Sequence, residues 1–222
     1  MCSPPDDTGA QDDTGAPPAP CRVGMVPVRD EVGDVIVCID AFEASIDDAE
    51  GALLGNLDQG IAWPDGSTTA TPHSAFGASP VVLVSWYQAA ALCLNADKYL
   101  CSTAEWVDGC DGLAGAGGQP FPWGAEADDT ACVTLSDDGQ QQWDQQLPTG
   151  SLETCRSPAG AYDMAGNVWE WVDSGAYPST DKVGGSYYSG GGNYACAASP
   201  VSDHLPEFIG TIGFRCCATP TL

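Results

Sequence analysis

The sequence predicts an α+β fold with two helices, short strands, long ordered loops and several disulfides. Three observations predict it. Two serine-initiated helix starts lie close together in the middle of the chain. Short β-branched and apolar runs lie on both sides of them, separated by segments rich in Gly, Pro and Asp. Finally, the chain has eleven cysteines among its 222 residues, a density typical of disulfide-bonded proteins from oxidising compartments.

The chain begins with an acidic, proline-rich segment, residues 1–20, which contains a tandem DDTGA repeat. It has no bulky apolar residue after Met1, so it cannot bury enough surface to offset its ordering entropy. We therefore predict a disordered tether at 1–20 and a single domain at 21–222.

Cys2, near the start of this tether, is a candidate lipidation site. An acidic, proline-rich segment that starts at a cysteine is typical of a mature bacterial lipoprotein, in which Cys2 would carry the lipid. This interpretation predicts an extracytoplasmic, cell-surface or periplasmic lipoprotein that contacts the membrane only through that lipid. The alternative is a trimmed chain with a stray cysteine.

Strands are expected on both sides of the helical region. VIVCIDAFEAS, 35–45, reads as a strand from its β-branched run, and PVVLVSW, 80–86, is another short apolar run. Residues 111–160 are rich in Gly, Pro, Asp and Gln, which indicates long ordered loops. From 161 onward the sequence reads as short strands and turns, ending in the apolar IGTIGFRCC, 209–217.

The two helices are predicted from their first residues. Ser85 precedes Gln88 by three positions and Ser102 precedes Glu105 by three, so each pair fits a capping box. The helices would then run from about Trp86 to Ala96 and from about Thr103 to Cys110.

The charge balance excludes one class of partner. Asp and Glu outnumber Lys and Arg by 31 to 6, which gives a formal net charge of −25. Such a surface repels phosphate backbones, so nucleic acid is not expected as a partner. A cation is expected, because carboxylates supply the hard oxygen ligands that calcium prefers, although most of these acids need only keep the protein soluble.

A motif late in the chain, AYDMAGNVWEW at 161–171, resembles the signature loop of the formylglycine-generating enzyme family, the sulfatase-modifying factor domain, which has a modified C-type-lectin-like fold. Six further stretches follow the family's order: FEAS at 42–45, PVVLVSWYQAAALC at 80–93, LCSTAEW at 100–106, FPWG at 121–124, GGSY at 184–187 and GFRCC at 213–217. Seven motifs in order are far more specific than any one of them. The resemblance therefore implies this fold for the whole domain.

The signature loop also implies a metal. A tight loop that holds a hard cation needs carboxylates at its ends and free carbonyls between them. Asp163 and Glu170 can supply the carboxylates, and Gly166 and Val168 the carbonyls. The resemblance implies a structural calcium at these four positions as the cofactor; the alternative is that the two acids only cap local backbone.

The resemblance implies disulfide partners for some of the cysteines and leaves the others open. It implies two disulfides that join the helical half to the C-terminal strands, Cys93 with Cys216 and Cys110 with Cys196. Six others remain open: Cys21 could pair with Cys38, Cys132 with Cys155, and Cys101 with Cys217. Connectivity does not follow from sequence, so these three pairs are hypotheses.

Formylglycine-generating enzymes oxidise a substrate cysteine with a copper(I) ion held by two thiolates just after the GGS motif. Here Ser189 stands at the first thiolate position, glycines 190–192 occupy the region of the second, and Cys196 matches a structural cysteine. A hydroxyl does not replace a soft thiolate as a copper(I) ligand, so copper is not expected. Pocket-lining positions of the family are retained as Trp169, Ser186 and Tyr187, which with Ser189 form the candidate pocket.

Two functions remain in view. The first is a calcium-stabilised binding module that displays the loop 186–212, rich in Gly, Ser, Tyr and Asn, to an unknown polypeptide or glycan ligand. The second is an oxidoreductase of the formylglycine-generating type with altered cysteine or metal chemistry. Because the copper ligands are missing, the first is preferred.

Overall fold

The computed structural model describes residues 19–46, 70–112, 118–135, 143, 145–175, 179–190, 194–197, 200–204 and 210–221. The predicted tether at 1–20, with Cys2, lies almost wholly outside these residues. The described strands, β1 to β10, are Met25–Arg29, Val35–Asp40, Ala44–Ser45, His73–Ser74, Tyr99–Leu100, Trp169–Val172, Ser179–Val183, Val201–His204, Ile212–Phe214 and Cys216–Ala218. The described helices are α1, Trp86–Asn95, and α2, Thr103–Asp111.

The strands form two four-stranded sheets and one two-stranded pair. The first sheet has the order β1-β2-β10-β5, and all of its pairs are antiparallel. The second has the order β8-β7-β6-β9, in which β6 and β9 are parallel. The C-terminal strands β9 and β10 therefore belong to different sheets, so the GFRCC motif joins the two halves of the fold. This architecture confirms the predicted α+β class.

Both predicted helices are confirmed, including their first residues. In α1 the Ser85 side chain accepts a hydrogen bond from the backbone N–H of Gln88. In turn, the side-chain oxygen of Gln88 accepts one from the backbone N–H of Ser85. Ser102 and Glu105 form the same reciprocal pair at the start of α2. Each box satisfies two backbone N–H groups that a helix start otherwise leaves unpaired. The predicted ends differ from the observed ones by a single residue in each helix.

The strand predicted over 35–45 is interrupted in the structure. Strand β2 ends at Asp40, and the two-residue β3 begins at Ala44. Between them the backbone N–H of Ala41 donates to the carbonyl of Gly24, and the N–H of Phe42 donates to the hydroxyl of Ser74. These two bonds replace a regular ladder, and β-branched composition alone gave no signal of this change of partner.

Five disulfides link the described elements. They join Cys21 to Cys38, Cys93 to Cys216, Cys101 to Cys217, Cys110 to Cys196 and Cys132 to Cys155. These are the five pairs predicted from the sequence, two by resemblance and three as hypotheses. The bridge that closes the longest loop spans 123 residues, for which the chain-entropy estimate is roughly 4 to 5 kcal/mol.

The adjacent cysteines of β10 face opposite sides of its sheet. Cys216 packs with Cys93 in the apolar cluster that contains Trp171, and Cys217 packs with Cys101 in the cluster that contains Trp106. A strand points successive side chains to opposite faces, so two neighbouring cysteines can bridge to two different elements. Neither described helix has the length and apolar character needed to cross a bilayer.

Candidate functional site

The signature loop is held in a conformation that its residue types favour. Asp163, Gly166 and Asn167 all have positive φ values, of 57°, 75° and 55°. Asp, Gly and Asn are the residues that adopt this left-handed region at least cost. At Gly166 the requirement is also steric, because a Cβ there would lie 2.3 Å from the carbonyl oxygen of Val133.

Asn167 fixes this loop to four other segments. Its side-chain Nδ2 donates to Glu43 Oε2 at 2.6 Å, and its Oδ1 accepts from the backbone N–H of Leu147 at 2.8 Å. Its own N–H donates to the carbonyl of Val133, and its carbonyl accepts from the N–H of Tyr187. The asparagine of the motif therefore positions the loop that carries the candidate pocket.

Behind the loop, the side chain of Glu170 is paired with a buried arginine. Arg215 donates from Nε to Glu170 Oε2 at 2.7 Å and from Nη2 to Oε1 at 2.6 Å. The indole Nε1 of Trp106 also donates to Oε2 at 2.7 Å. Oε2 thus has two donors and Oε1 has one, which leaves Oε1 with one free lone pair among these contacts.

Two more buried carboxyl groups lie near this pair. Glu43 accepts from the backbone N–H of Val168 and from Asn167, and Asp163 Oδ2 accepts from the N–H of Gly150 at 2.6 Å. All three carboxyl groups and the guanidinium are at most 2% exposed. One guanidinium therefore faces three acidic groups.

This excess of buried acidic groups over basic ones is reflected in their pKa values. Burial, together with the nearby charges of Asp163 and Glu170, holds the pKa of Glu43 well above its usual range. Burial raises the pKa of Asp163 from 3.8 to about 6, against the opposing effects of the Gly150 N–H and Arg215. Burial acts to lower the pKa of Arg215, but the carboxylate of Glu170 outweighs it and the pKa is raised.

The four expected calcium ligands lie within one eight-residue stretch, 163–170, and their donors are of two kinds. Asp163 and Glu170 offer one side chain each, and Gly166 and Val168 offer backbone carbonyls. Within the described residues no three acidic, histidine or cysteine side chains form a metal-binding group, so any ion here depends on the carbonyls. A divalent cation would balance the two negative charges that Arg215 leaves when all three acids are ionised, and oxygen donors of this kind suit calcium.

The candidate pocket residues surround a tight turn after the two glycines of GGSY. The backbone N–H of Ser186 donates to the Ser189 hydroxyl at 2.9 Å, and the N–H of Ser189 donates back to the Ser186 carbonyl at 2.8 Å. Ser189 is buried, and its carbonyl accepts from the N–H of Leu135. Its hydroxyl therefore stabilises the turn itself.

Trp169 and Tyr187 lie on neighbouring segments. Trp169 starts β6 and is half-buried, with the ammonium of Lys182 at 5.7 Å from its ring centroid. Tyr187 is half-buried next to the exposed Tyr188, and their rings meet edge to face at 6.3 Å. The structure thus brings Ser186, Tyr187 and Ser189 together in the turn, but it gives no direct bond from them to Trp169.

Neither of two cavities near the FPWG loop includes these residues. One, of about 690 Å³, is lined by residues 123–130, and the other, of about 460 Å³, is lined mainly by Asp111, residues 118–120 and Pro158.

All ten cysteines of the described residues are in disulfides. Cys196, the cysteine that follows the GGSY turn, is bound to Cys110 of α2. A disulfide sulfur is not a thiolate, so these cysteines offer copper(I) no ligand pair while they remain oxidised.

Sequence reasoning missed Glu43 and Arg215. A local signal existed for each, because Glu43 is one of only two charged residues in the apolar stretch VIVCIDAFEAS and Arg215 is the single one in IGTIGFRCC. Residues of this kind are seldom fully buried unless they are paired. The identity of the partner, however, required the fold.

Comparisons with known proteins agree with this architecture. The sequence profile of the sulfatase-modifying factor enzyme 1-like domain matches residues 31–220. Hercynine oxygenase of Mycolicibacterium smegmatis is 34% identical over 119 residues, covering 52% of this chain and 27% of the relative. Formylglycine-generating enzyme of Mus musculus is 29% identical over 192 residues, covering 72% and 50%. Inactive C-alpha-formylglycine-generating enzyme 2 of Bos taurus is 28% identical over 161 residues, covering 63% and 50%. The chain spans half or less of the length of these relatives.

Solved structures share the fold at low sequence identity. CarF has a TM-score of 0.59 at 20% identity, covering 90% of this chain and 95% of its own. Treponema denticola variable protein 1 has a TM-score of 0.55 at 15% identity, covering 91% and 93%. At these identities the likeness concerns the fold alone.

Proposed function

Because the chain belongs to the sulfatase-modifying factor enzyme 1-like domain family, we propose that it uses this fold as a calcium-stabilised binding module. In this proposal the protein is extracytoplasmic and anchored by a lipid on Cys2, and the loop 186–212 contacts a polypeptide or glycan ligand. The copper-dependent oxidation of cysteine is absent.

The observation that carries the proposal is the state of the cysteines. All ten in the described residues are bound in pairs, and a serine hydroxyl stands where the resemblance puts the first copper thiolate. Oxidase chemistry of the family's type needs both thiolates, because a hydroxyl does not replace a soft thiolate as a copper(I) ligand. A relative named as an inactive member of the same family makes such a loss reasonable.

The arrangement of the loop supports a role in display. Cys196 ties its middle to α2, and Tyr194 is buried beside it, so the loop is anchored at its centre as well as at its ends. Before that anchor Tyr188 is 62% exposed. A rigidly held, exposed tyrosine offers a large contact area at little cost in conformational entropy.

Calcium is supported by charge and donor type. It would be held by the carboxylates of Asp163 and Glu170 and the carbonyls of Gly166 and Val168, and it would supply positive charge beside three buried carboxyl groups. The location is supported by the five disulfides, which persist in oxidising compartments. The lipid is supported by Cys2 at the start of an acidic, proline-rich segment.

The loss of oxidase chemistry is tested by thiol counting. Alkylation of unreduced, unlipidated protein, followed by mapping of the modified sites by mass spectrometry, should label Cys2 alone. The same protein, loaded with copper(I) and supplied with oxygen, should leave a cysteine-containing peptide unchanged. Two free thiols near residues 186–196 together with conversion of the peptide cysteine to an aldehyde would overturn the proposal.

The binding function is tested with immobilised panels of glycans and of peptides. The intact protein should retain at least one class of probe, and Tyr188→Ser should weaken that retention about tenfold or more, as loss of an exposed aromatic anchor does. Leu94→Ser is the matched control, because Leu94 is 66% exposed on α1 and is not part of the loop. Equal retention of both variants would exclude the loop as the binding surface.

A further inference from the structure

Three aromatic rings and an arginine form a continuous row on the surface, which we call the aromatic platform. Phe42 stacks on Tyr162, with ring centroids 5.2 Å apart and an interplanar angle of 17°. The ring of Phe76 meets Phe42 edge to face at 6.0 Å. At the other end, the guanidinium of Arg156 lies 5.5 Å from the centroid of Tyr162. The order along the row is therefore Phe76, Phe42, Tyr162 and Arg156.

The exposed end of the platform is rigidly mounted. Thr149 forms four hydrogen bonds with residues 75–78: its N–H donates to the Ala78 carbonyl, its carbonyl accepts from Gly77, and its hydroxyl accepts from Ala78 and donates to Ala75. At the next residue, Gly150, a Cβ would lie 2.8 Å from the rings of both Phe42 and Phe76. The backbone thus supports the two rings from below.

The platform faces solvent. Phe76 is 73% exposed, Arg156 is exposed, and Phe42 and Tyr162 are half-buried. No carboxylate of the described residues forms an ion pair with Arg156, and its guanidinium lies over the ring of Tyr162. Its N–H groups are therefore open to an acidic ligand.

The platform also lies beside residues 24–26, a few residues after the N-terminal segment reaches the domain at Ala19 and Pro20, which are hydrogen-bonded to Thr221. Gly24 contacts Ser74, since a Cβ on Gly24 would be 3.0 Å from the Ser74 carbonyl oxygen, and Ser74 is two residues from Phe76. A Cβ on Gly160 would lie 3.4 Å from both an Arg156 nitrogen and a Val26 methyl. Both ends of the platform are therefore close to residues 24–26.

The segment that precedes residue 19 has the composition that such a surface recognises. Residues 1–20 contain five prolines and four aspartates, and they contain no Lys or Arg. Proline-rich segments dock on rows of aromatic rings, because the polyproline II conformation has little entropy left to lose, and arginine pairs with carboxylates. We propose that residues 3–18 of this chain dock on the aromatic platform, with prolines on the rings and an aspartate on Arg156.

Length and tethering allow this docking. Sixteen residues of polyproline II extend for about 50 Å, so the segment can cross a four-residue row that begins beside residues 24–26. A short flexible connection gives an effective concentration in the millimolar range. Contacts too weak to hold a separate peptide can therefore hold this one.

A spin label on Cys2 tests the docking in the full chain, because the described disulfides leave that cysteine for labelling. Paramagnetic broadening of backbone amide signals should concentrate on residues 74–77 and 156–162. In Phe76→Ser combined with Arg156→Ala it should fall at these amides at least threefold and spread over the surface. Leu94→Ser combined with Arg29→Ala removes an apolar and a basic exposed residue elsewhere, and it should leave the pattern unchanged.

The competing outcomes are distinct. Broadening spread evenly in the unmodified chain, or the same in both double variants, would overturn the proposal. Broadening at the platform that grows with protein concentration, or that appears on unlabelled chains mixed with labelled ones, would mean that the platform binds a second copy and would also overturn it. The loop 186–212 takes no part, so this result is independent of the ligand-binding function proposed above.

Discussion

Arg215 is the residue at which the buried charges of this fold meet. Its guanidinium binds both carboxylate oxygens of Glu170, and it also donates to the carbonyls of Asp40 and Tyr162. Lysine has no planar fork of donors and could not reach all of these acceptors at once. The arginine therefore joins the end of β2, the signature loop and β6 through one side chain.

Asp163 and Glu43 allow the calcium proposal to be tested through pH. Their pKa values are raised in the folded protein. Their favourable contribution to the free energy of unfolding is therefore fully present below the pKa values of the unfolded chain, and it is lost as pH rises through the pKa values of the folded protein. For Asp163 the change from 3.8 to about 6 corresponds to roughly 3 kcal/mol. Calcium-free protein should thus lose stability between about pH 4 and pH 7, and added calcium should raise Tm more at pH 8 than at pH 5.

Asp163→Asn separates this effect from the general charge of the molecule. The variant should lose most of the calcium-dependent rise in Tm and part of the pH dependence, as measured by thermal unfolding with calcium or with a chelator. Asp34→Asn removes one exposed negative charge and should retain both effects. If calcium raises Tm equally in the two variants, the ion binds elsewhere.

At the scale of elements, the helix starts show which features can be predicted from local sequence. Both capping boxes were predictable because each pairs residues only three positions apart. The break between β2 and β3 was not predictable, since it depends on Gly24 and Ser74, which come from other parts of the chain. Local signals therefore placed the helices, while tertiary contacts decided where the first long strand ends.

The start of α2 offers a matched pair of substitutions. The Ser102 hydroxyl accepts from the N–H of Glu105 and donates to its carboxylate at 2.7 Å, so Ser102→Ala should lower the free energy of unfolding by about 1 kcal/mol. The hydroxyl of Thr103 is buried and has no hydrogen-bond partner among the described residues, so Thr103→Ala should change the free energy of unfolding by less than about 0.5 kcal/mol. Denaturant unfolding measures both, and equal losses would show that the cap contributes nothing specific.

At the scale of the whole molecule, the family was readable from seven ordered motifs, but the buried cluster of Glu43, Asp163, Glu170 and Arg215 was not. Its members come from three motifs far apart in sequence, and each motif shows only one or two of the charges. The sequence therefore indicated which loop was special without revealing that an arginine near the C-terminus is bonded to its last carboxylate. The disulfides were likewise only partly predictable, since the resemblance implied two of the pairs and the other three were hypotheses.

The bridge between Cys93 and Cys216 makes more than half of the chain a closed covalent ring. Any single backbone cut between these residues leaves both pieces joined, whereas a cut between Cys38 and Cys93 crosses no disulfide. After limited digestion with a protease specific for acidic residues, cuts inside the ring should appear as fragments only on reducing gels. A chain that was cut only once inside the ring and still runs as two fragments on a non-reducing gel would show that the bridge is not formed.

In the extracytoplasmic location proposed above, the protein would meet proteases that no chaperone system counters. Within the ring, a nicked loop remains attached and can stay folded, so one cleavage does not release half of the domain. Loops between residues 94 and 215 can for the same reason accept altered or longer sequences during evolution with less risk of losing the scaffold. The section between Cys38 and Cys93 lacks this protection, and we expect cleavage there to set the lifetime of the protein.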